Sequence, residues 1–247
     1  MTYCVAIKVN SGLVMASDSR TNAGVDYVST YSKMFVFTPA EDRLFVLLAS
    51  GNLATTQAVV NIINRDLENP KAKHSLLKVP HLFEAADYLG DVSEMVQQRH
   101  AVSMEKKKVS AEANFILAGQ IGDGPHDVFH IYPQGNYISA SPETPYLQIG
   151  ETKYGKPILD RVIAPNTSLE DAARCALVSL DSTMRSNISV GPPIDLAIYE
   201  KGKHQLSHYM NLKLGSPLYA SLQKRWNDGL RRAFTRLPRF DWEEAKE

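Results

Sequence analysis

The chain has 247 residues, 44% of them hydrophobic, which suits one sizeable globular domain with or without a short appendage. Its 27 basic side chains balance its 27 acidic ones, whereas a nucleic-acid-binding protein usually carries a basic excess. No apolar run reaches the ~18 residues of a membrane span, no signal-peptide pattern opens the chain, and two cysteines give no disulfide framework. We therefore expect a cytoplasmic protein that contacts neither a membrane nor nucleic acid.

The first half of the chain predicts two pairs of strands followed by two helices. Asn10-Ser11-Gly12 is a turn signal between two β-prone runs, and Asn52 can cap the first helix. The predicted strands cover residues 3–9, 13–17, 34–37 and 43–49, a loop covers 18–24, and the helices cover 53–68 and 80–107.

The second half returns to short strands and ends in helix. The predicted strands cover 115–119, 128–132, 137–139 and 146–150, helices cover 153–163 and 168–186, and a hairpin of 194–199 and 204–210 precedes a helical tail. Because the strands come as hairpins rather than alternating singly with helices, we predict an α+β fold of packed antiparallel sheets covered by helix pairs. The predicted domain covers 1–215 and the tail 216–247.

The tail mixes basic and aromatic residues, with Arg231, Arg232 and Arg236 near Trp226 and Phe234. One interpretation is a surface that contacts an anion, nucleic acid or a membrane. The other is a helix that packs on the domain or on a neighbouring subunit, its arginines paired with acids. The apolar side chains recur at helical spacing, which favours packing and makes a contact between subunits attractive.

Two histidine pairs have a spacing of four residues, His126 with His130 and His204 with His208. Both pairs fall in strand-like segments, where residues four apart lie roughly 13 Å from each other. No third ligand accompanies either pair. We therefore expect neither a metal ion nor a cofactor.

Three residues near the start of the chain predict a nucleophilic site when they are taken together. Removal of Met1 would leave Thr2 with a free α-amine, whose ordinary pKa of about 7.7–8.0 lets it accept a proton from its own hydroxyl. The predicted hairpin folds Asp18 back towards Thr2, and Lys33 approaches from the next strand. A lysine between an aspartate and a hydroxyl favours loss of the hydroxyl proton.

The same segments resemble the opening of a proteasome β-type peptidase. The matching residues are 2–7 (Thr-Tyr-Cys-Val-Ala-Ile), 12–21 (Gly-Leu-Val-Met-Ala-Ser-Asp-Ser-Arg-Thr) and Lys33-Met34, and Ala49-Ser50-Gly51 matches the next motif of that family. The lack of a propeptide and the long tail resemble most the bacterial "ancestral beta subunit" group, Anbu. The resemblance extends to about Met210 and is most specific in its N-terminal part.

The resemblance implies a four-layer αββα sandwich and a role for each matching residue. Thr2 would attack the scissile carbonyl, Lys33 would lower the pKa of the Thr2 hydroxyl, and Asp18 would orient Lys33. The backbone N–H of Gly51 would hold the oxyanion, and Ser189 matches a serine of the Asp-x-x-Ser-Gly motif of the family. The resemblance also implies a ring, open ring or helix of identical subunits with a polypeptide or amide substrate, and it leaves open a separate unfoldase partner.

The chain departs from the family pattern at two places that would support the amine of Thr2. Glu151 stands where catalytic subunits carry a serine, and the stretch 186–191 has no aspartate and one extra residue. A carboxylate beside the amine would raise its pKa and weaken it as a base. Two alternatives to a peptidase therefore stay open: a hydrolase of non-peptide amides, and a structural or peptide-binding subunit with little turnover.

Overall fold

The computed structural model describes residues 1–22, 28–104 and 110–244. Over these ranges the strands are β1 (Tyr3–Val9), β2 (Gly12–Asp18), β3 (Arg20–Asn22), β4 (Val28–Thr30), β5 (Met34–Ala40), β6 (Arg43–Gly51), β7 (Ala113–Ile121), β8 (Asp127–Ile131), β9 (Tyr137–Ser139), β10 (Tyr146–Gly150), β11 (Ile194–Glu200) and β12 (His208–Leu212). The helices are α1 (Leu53–Glu68), α2 (Leu82–Met104), α3 (Lys156–Val162), α4 (Leu169–Ser186), α5 (Pro217–Phe234) and α6 (Asp241–Glu244). None of these helices is both long and apolar enough to cross a bilayer.

Two five-stranded sheets form the middle layers of the fold. The first sheet has the strand order β10-β1-β2-β11-β12 and the second has the order β5-β6-β7-β8-β9. All neighbouring strands in both sheets run antiparallel. Helix α4, with α3 beside it, covers the first sheet, and α1 and α2 cover the second. The α+β class and the four-layer αββα sandwich are both confirmed.

Strand β6 shows why the central strands are apolar along their whole length. Leu44, Val46 and Leu48 lie in the core between the two sheets, whereas Phe45 and Leu47 lie in the core beneath α1 and α2. Successive side chains of a strand point to opposite faces, so a strand covered on both faces needs apolar residues at every position.

The hairpin of β1 and β2 fixes the position of Asp18. Cys4 pairs with Ser17 and Val9 pairs with Gly12, so the predicted turn is present at residues 10–11 and Gly12 is the first residue of β2. This register brings the end of β2 beside the start of β1. Asp18 therefore lies next to the residues that follow Thr2.

The two predicted helix caps are present. The side chain of Asn52 accepts a hydrogen bond from the backbone N–H of Thr55, at the start of α1. The hydroxyl of Ser168 accepts one from the backbone N–H of Asp171, at the start of α4. Each cap satisfies an N–H group that has no partner inside its own helix.

Several element boundaries differ from the prediction. Part of the predicted loop 18–24 is strand β3, which pairs with β4; residues 23–27 lie outside the described residues.

Helix α3 begins at Lys156 rather than at 153, because Gly155 is its N-cap and Pro157 occupies its first turn. Strand β12 begins at His208 rather than at 204, because His204 has a φ of 49°, which interrupts an extended strand. Helix α2 is described as far as Met104, and the rest of the predicted helix to 107 lies outside the described residues.

The chain divides into two compact units, Met1–Leu214 and Gly215–Glu247. In the second unit, α5 begins with Pro217 in its first turn, a position that proline favours. This unit exposes several large apolar side chains: Leu218, Leu230, Phe234, Leu237, Phe240 and Trp242.

Candidate active site

A buried ion pair joins the end of β2 to the residue that precedes β5. Lys33 Nζ lies 2.7 Å from Asp18 Oδ1. The aspartate is fully buried, and Lys33 is 7% exposed. Lys33 Nζ also donates to the backbone carbonyl of Arg20 at 2.6 Å. With a side-chain acceptor and a backbone acceptor two residues apart, the ammonium group is held in one place.

Asp18 receives two backbone hydrogen bonds as well as the ammonium of Lys33. The N–H of Tyr3 donates to Oδ1 at 3.0 Å, and the N–H of Gly191 donates to Oδ2 at 3.1 Å. Burial raises the pKa of Asp18 above its ordinary value, while Lys33 and the two N–H groups act in the opposite direction by stabilising the charged carboxylate. Both carboxylate oxygens are therefore occupied.

Thr2 directly precedes β1 and is held through its backbone. The N–H of Glu151 donates to the carbonyl of Thr2 at 2.7 Å. Gly150, which pairs with Tyr3, has a φ of 87°, and a Cβ there would collide with the carbonyl oxygen of Thr2. The end of β10 can approach Thr2 this closely because residue 150 is a glycine.

A cavity of about 100 Å³ adjoins Thr2 and Lys33. Gly51, at the end of β6, forms part of its wall and has a φ of 105°; a Cβ there would collide with the carbonyl of Glu112. Glycine is the residue that adopts this conformation without steric cost. The described residues that line the cavity are Met1, Thr2, Arg20, Thr21, Ser32, Lys33, Phe35, Ala49, Ser50, Gly51, Leu53 and Thr56.

Ser189 lies in the loop that follows α4 and does not line this cavity. Its backbone N–H donates to Asn187 Oδ1 at 3.0 Å. The amide nitrogen of Asn187 donates to Glu151 Oε2 at 3.1 Å, and Glu151 is 4% exposed. The fold thus brings together Glu151 and Asn187, from the two segments in which the sequence departs from the family pattern.

Several groups that surround Asp18 and Lys33 were not predicted from the sequence. The N–H of Tyr3, the carbonyl of Arg20 and the N–H of Gly191 all belong to the backbone, so residue type carries no signal for them. The guanidinium of Arg20 also donates to the carbonyl of Ile188 at 2.8 Å. Only the Gly191-Pro192-Pro193 run in the sequence marks this loop as a turn.

Two of the predicted histidines, His126 and His130, contact polar groups of the fold, and the two cysteines are buried. His126 Nε2 lies 2.8 Å from the carbonyl of Val9, and His130 Nε2 lies 3.3 Å from Asn114 Oδ1. Both cysteines are buried free thiols. Burial raises the pKa of Cys4, and it raises the pKa of Cys175 to about 12. Within the described ranges, no three His, Cys, Asp or Glu side chains form a group that could hold a metal ion.

Comparisons with known proteins agree with this architecture. The "Proteasome subunit" family model matches residues 2–199. The "Proteasome subunit beta 2" of Pyrobaculum calidifontis is 26% identical over 198 residues, which are 80% of this chain and 88% of that protein.

Two solved structures are more similar still. "Anbu (ancestral beta-subunit) from Yersinia bercovieri" is 43% identical, with a TM-score of 0.90 over 97% of this chain and 98% of that chain. "Helical Assembly of the Anbu Complex from Pseudomonas aeruginosa" is 41% identical, with a TM-score of 0.90 over 96% and 98% of the two chains. The chain belongs to the proteasome subunit family and, within it, to the Anbu group of ancestral β-subunits.

Proposed function

We propose that the chain is an N-terminal threonine hydrolase of amide bonds, active in the cytoplasm once Met1 has been removed. One observation carries the proposal: Lys33, whose ammonium lies 2.7 Å from the buried Asp18, lines the cavity that Thr2 also lines. An ammonium held on the wall of a cavity favours loss of a proton from a neighbouring hydroxyl, because the alkoxide that results is stabilised.

The first requirement is a free N-terminus on Thr2. Met1 is 63% exposed and is followed by a small residue, so its peptide bond is accessible to an aminopeptidase. Cleavage converts the amide nitrogen of Thr2 into an α-amine that can accept a proton near neutral pH.

In the proposed reaction, Thr2 Oγ1 attacks the carbonyl carbon of the substrate and its proton passes to the α-amine. Lys33 stabilises the developing negative charge on the attacking oxygen. Gly51 offers its backbone N–H to the oxyanion, a contribution worth roughly 3–4 kcal/mol where the donor is well aligned. The protonated amine then gives its proton to the leaving amine, and water releases the acyl group from Thr2. Asp18 keeps the ammonium of Lys33 in place.

The surroundings of Glu151 support a second candidate, a structural or peptide-binding subunit with low turnover. The buried Glu151 follows the residue that touches Thr2, and its carboxylate is held by Asn187 at 3.1 Å. A carboxylate near an ammonium favours the protonated form, which cannot act as a base. The same feature fits an enzyme that works on a more reactive, non-peptide amide.

We also propose that the chain works as a homo-oligomer, either a ring or an open helical assembly. The related Anbu complex from Pseudomonas aeruginosa forms a helical assembly. The tail supplies an apolar surface for such contacts, since Leu230, Phe234 and Phe240 are all exposed in the single chain. Truncation after Gly215 should lower the particle mass measured by light scattering, whereas an unchanged mass would remove the tail from the assembly.

Covalent labelling with a fluorescent peptide β-lactone tests the catalytic proposal. Attack of a hydroxyl on the lactone carbonyl opens the ring and leaves an ester on the nucleophile. We expect the processed wild type and Thr2→Ser to be labelled and Thr2→Ala to remain unlabelled, with Thr167→Ala as a control outside the cavity. Equal labelling of Thr2→Ala would contradict the mechanism. Binding of a peptide without labelling or cleavage would favour the second candidate.

A further inference from the structure

Asp195 is a second buried carboxylate near the Asp18–Lys33 pair, and the proposed reaction does not use it. It lies on β11, directly opposite Ser17 of β2, and is 1% exposed. None of the ion pairs found in the described part of the chain includes Asp195. A charge buried without a cation has to be stabilised by hydrogen bonds.

Hydroxyls from two different segments converge on one oxygen of this carboxylate. Ser19 Oγ donates to Asp195 Oδ2 at 3.1 Å, and Ser32 Oγ lies 3.3 Å from the same oxygen. Ser19 directly follows Asp18, and Ser32 directly precedes Lys33. One oxygen atom therefore connects the two segments that carry the ion pair.

The two attachments differ in strength. The hydroxyl of Ser19 has Asp195 as its acceptor, and the residue is 2% exposed. The single proton of the Ser32 hydroxyl has a second acceptor, the carbonyl of Met34 at 2.9 Å. The hydrogen bond from Ser19 is therefore the firmer link.

The other oxygen of Asp195 is anchored to the edge strand of the sheet. Tyr209 donates its hydroxyl to Oδ1 at 2.8 Å, and Asn211 donates its amide at 2.7 Å. Both donors lie on β12, which pairs with β11. The carboxylate thus has two donors from β12 on one oxygen and two serine hydroxyls on the other, which fixes its orientation.

We propose that Asp195 is a positioning residue for the proposed reaction: through Ser19 and Ser32 it sets the distance between the segments that carry Asp18 and Lys33. The carboxylate contacts neither the substrate nor Thr2 in this role. It acts by keeping the ammonium of Lys33 where an alkoxide on Thr2 would form. The inference rests on the proposed function for its effect on rate, but not for its effect on Lys33.

Two measurements on Asp195→Asn test the proposal. Asparagine has nearly the same shape, but one of its two terminal groups cannot accept the hydrogen bonds that the carboxylate oxygen accepts. The first measurement is the rate of labelling by the β-lactone. Its dependence on lactone concentration gives the binding constant and the maximal rate separately. We expect the maximal rate to fall about 10-fold with the binding constant unchanged, because small displacements in a site reduce rates strongly.

The second measurement is the acetylation rate of Lys33 by a water-soluble acetylating reagent, followed by mass spectrometry. The buried amine of Lys33 should react slowly in the wild type and about fivefold faster in Asp195→Asn, because loosened contacts increase local opening. Ser19→Ala should reproduce both effects in weaker form. Its effects on labelling and on Lys33 acetylation should be larger than those of Ser32→Ala.

Asp181→Asn is the matched control, because Asp181 is also a buried acid, 2% exposed, but lies on α4 with Arg185 as its ion-pair partner. This control should leave lactone labelling and Lys33 acetylation unchanged. Wild-type values for both measurements in folded Asp195→Asn would overturn the proposal. Faster Lys33 acetylation in Asp195→Asn, combined with a wild type that the lactone does not label, would support the positioning role and reject the proposed function.

Discussion

The backbone N–H of Tyr3 and the ammonium of Lys33 both donate to the same oxygen of Asp18, at 3.0 Å and 2.7 Å. One carboxylate oxygen therefore connects the residue after Thr2 to the cation beside the cavity. The carbonyl of Thr2 accepts the N–H of Glu151 from the other side. The relative position of Thr2 and Lys33 thus depends on backbone contacts at both flanks of β1.

Lys33→Ala should abolish lactone labelling and destabilise the chain. Without the ammonium, the hydroxyl of Thr2 is a poor nucleophile, and we expect labelling to fall by at least about 100-fold. Asp18 would remain buried without its cation, which costs about 3 kcal/mol of unfolding free energy in comparable cases. Lactone labelling and urea unfolding measure the two effects.

Lys156→Ala is the control for this substitution, because Lys156 pairs with Asp160 on the surface of α3. Exposed pairs contribute about 0–1 kcal/mol, so both stability and labelling should stay close to the wild type. Labelling of Lys33→Ala at the wild-type rate would exclude the ammonium from the mechanism.

Gly51→Ala should reduce labelling even though it adds only one methyl group. The added Cβ would collide with the carbonyl of Glu112, and a φ of 105° is strained for alanine. The end of β6 must shift, which moves the proposed oxyanion donor and should slow labelling by about 100-fold or more. Gly202→Ala is the control, because its φ is 81° and nothing lies within 4 Å of the added atom. Equal effects of the two substitutions on labelling would argue against an oxyanion role for Gly51.

Glu151→Gln should move the pH profile of labelling towards lower pH. A carboxylate near the amine of processed Thr2 would favour its protonated form, so we expect removal of the Glu151 charge to let the amine lose its proton at a lower pH. We expect the rising limb of the profile to shift by about one pH unit, which corresponds to about 1.4 kcal/mol between the two protonation states. Lys153→Ala removes a cation 3.7 Å from Glu151 and should shift the limb slightly the other way. Superimposable pH profiles for the wild type and Glu151→Gln would show that the Glu151 carboxylate does not influence the pKa of the Thr2 amine.

We expect the folded chain to lose stability at alkaline pH, because it buries two thiols. Burial raises the pKa of Cys175 from 9.0 to about 12, and it also raises the pKa of Cys4. The folded chain keeps both protons where the unfolded chain loses them, so unfolding becomes easier as the pH rises above 9.0 towards 12. The urea midpoint should therefore fall less between pH 8 and pH 10 in Cys175→Ala than in the wild type. Identical falls of the urea midpoint in the two proteins would show that the Cys175 thiol does not contribute to the loss of stability.

Local signals predicted most of the fold. Residues 10–12 marked the first hairpin, and the caps Asn52 and Ser168 marked helix starts that the structure confirms. The pair of β3 and β4 was missed, because each strand has only three residues and shows no periodicity. The start of the last strand, predicted at His204, was wrong, because His204 is left-handed and the strand begins at His208.

The candidate site also has a part that the sequence predicts and a part that it does not. The proximity of Asp18 and Lys33 could be predicted from the first hairpin and the strand that follows Lys33, whereas the catalytic roles of Thr2, Asp18 and Lys33 stay predictions. Their surroundings could not be predicted, because Gly191 contacts Asp18 through a backbone group and across 173 residues. Asp195 reaches Ser19 across a similar separation of 176 residues. Contacts of this kind become visible only when β11 is placed beside β2.

The intact mass of the purified protein, before and after β-lactone treatment, shows whether Thr2 is the nucleophile. We expect the untreated protein to have lost Met1, the treatment to add one lactone per chain, and peptide mapping to place the adduct on Thr2. A chain that retains Met1 and still forms the adduct, or an adduct on any other residue, would contradict the proposed mechanism.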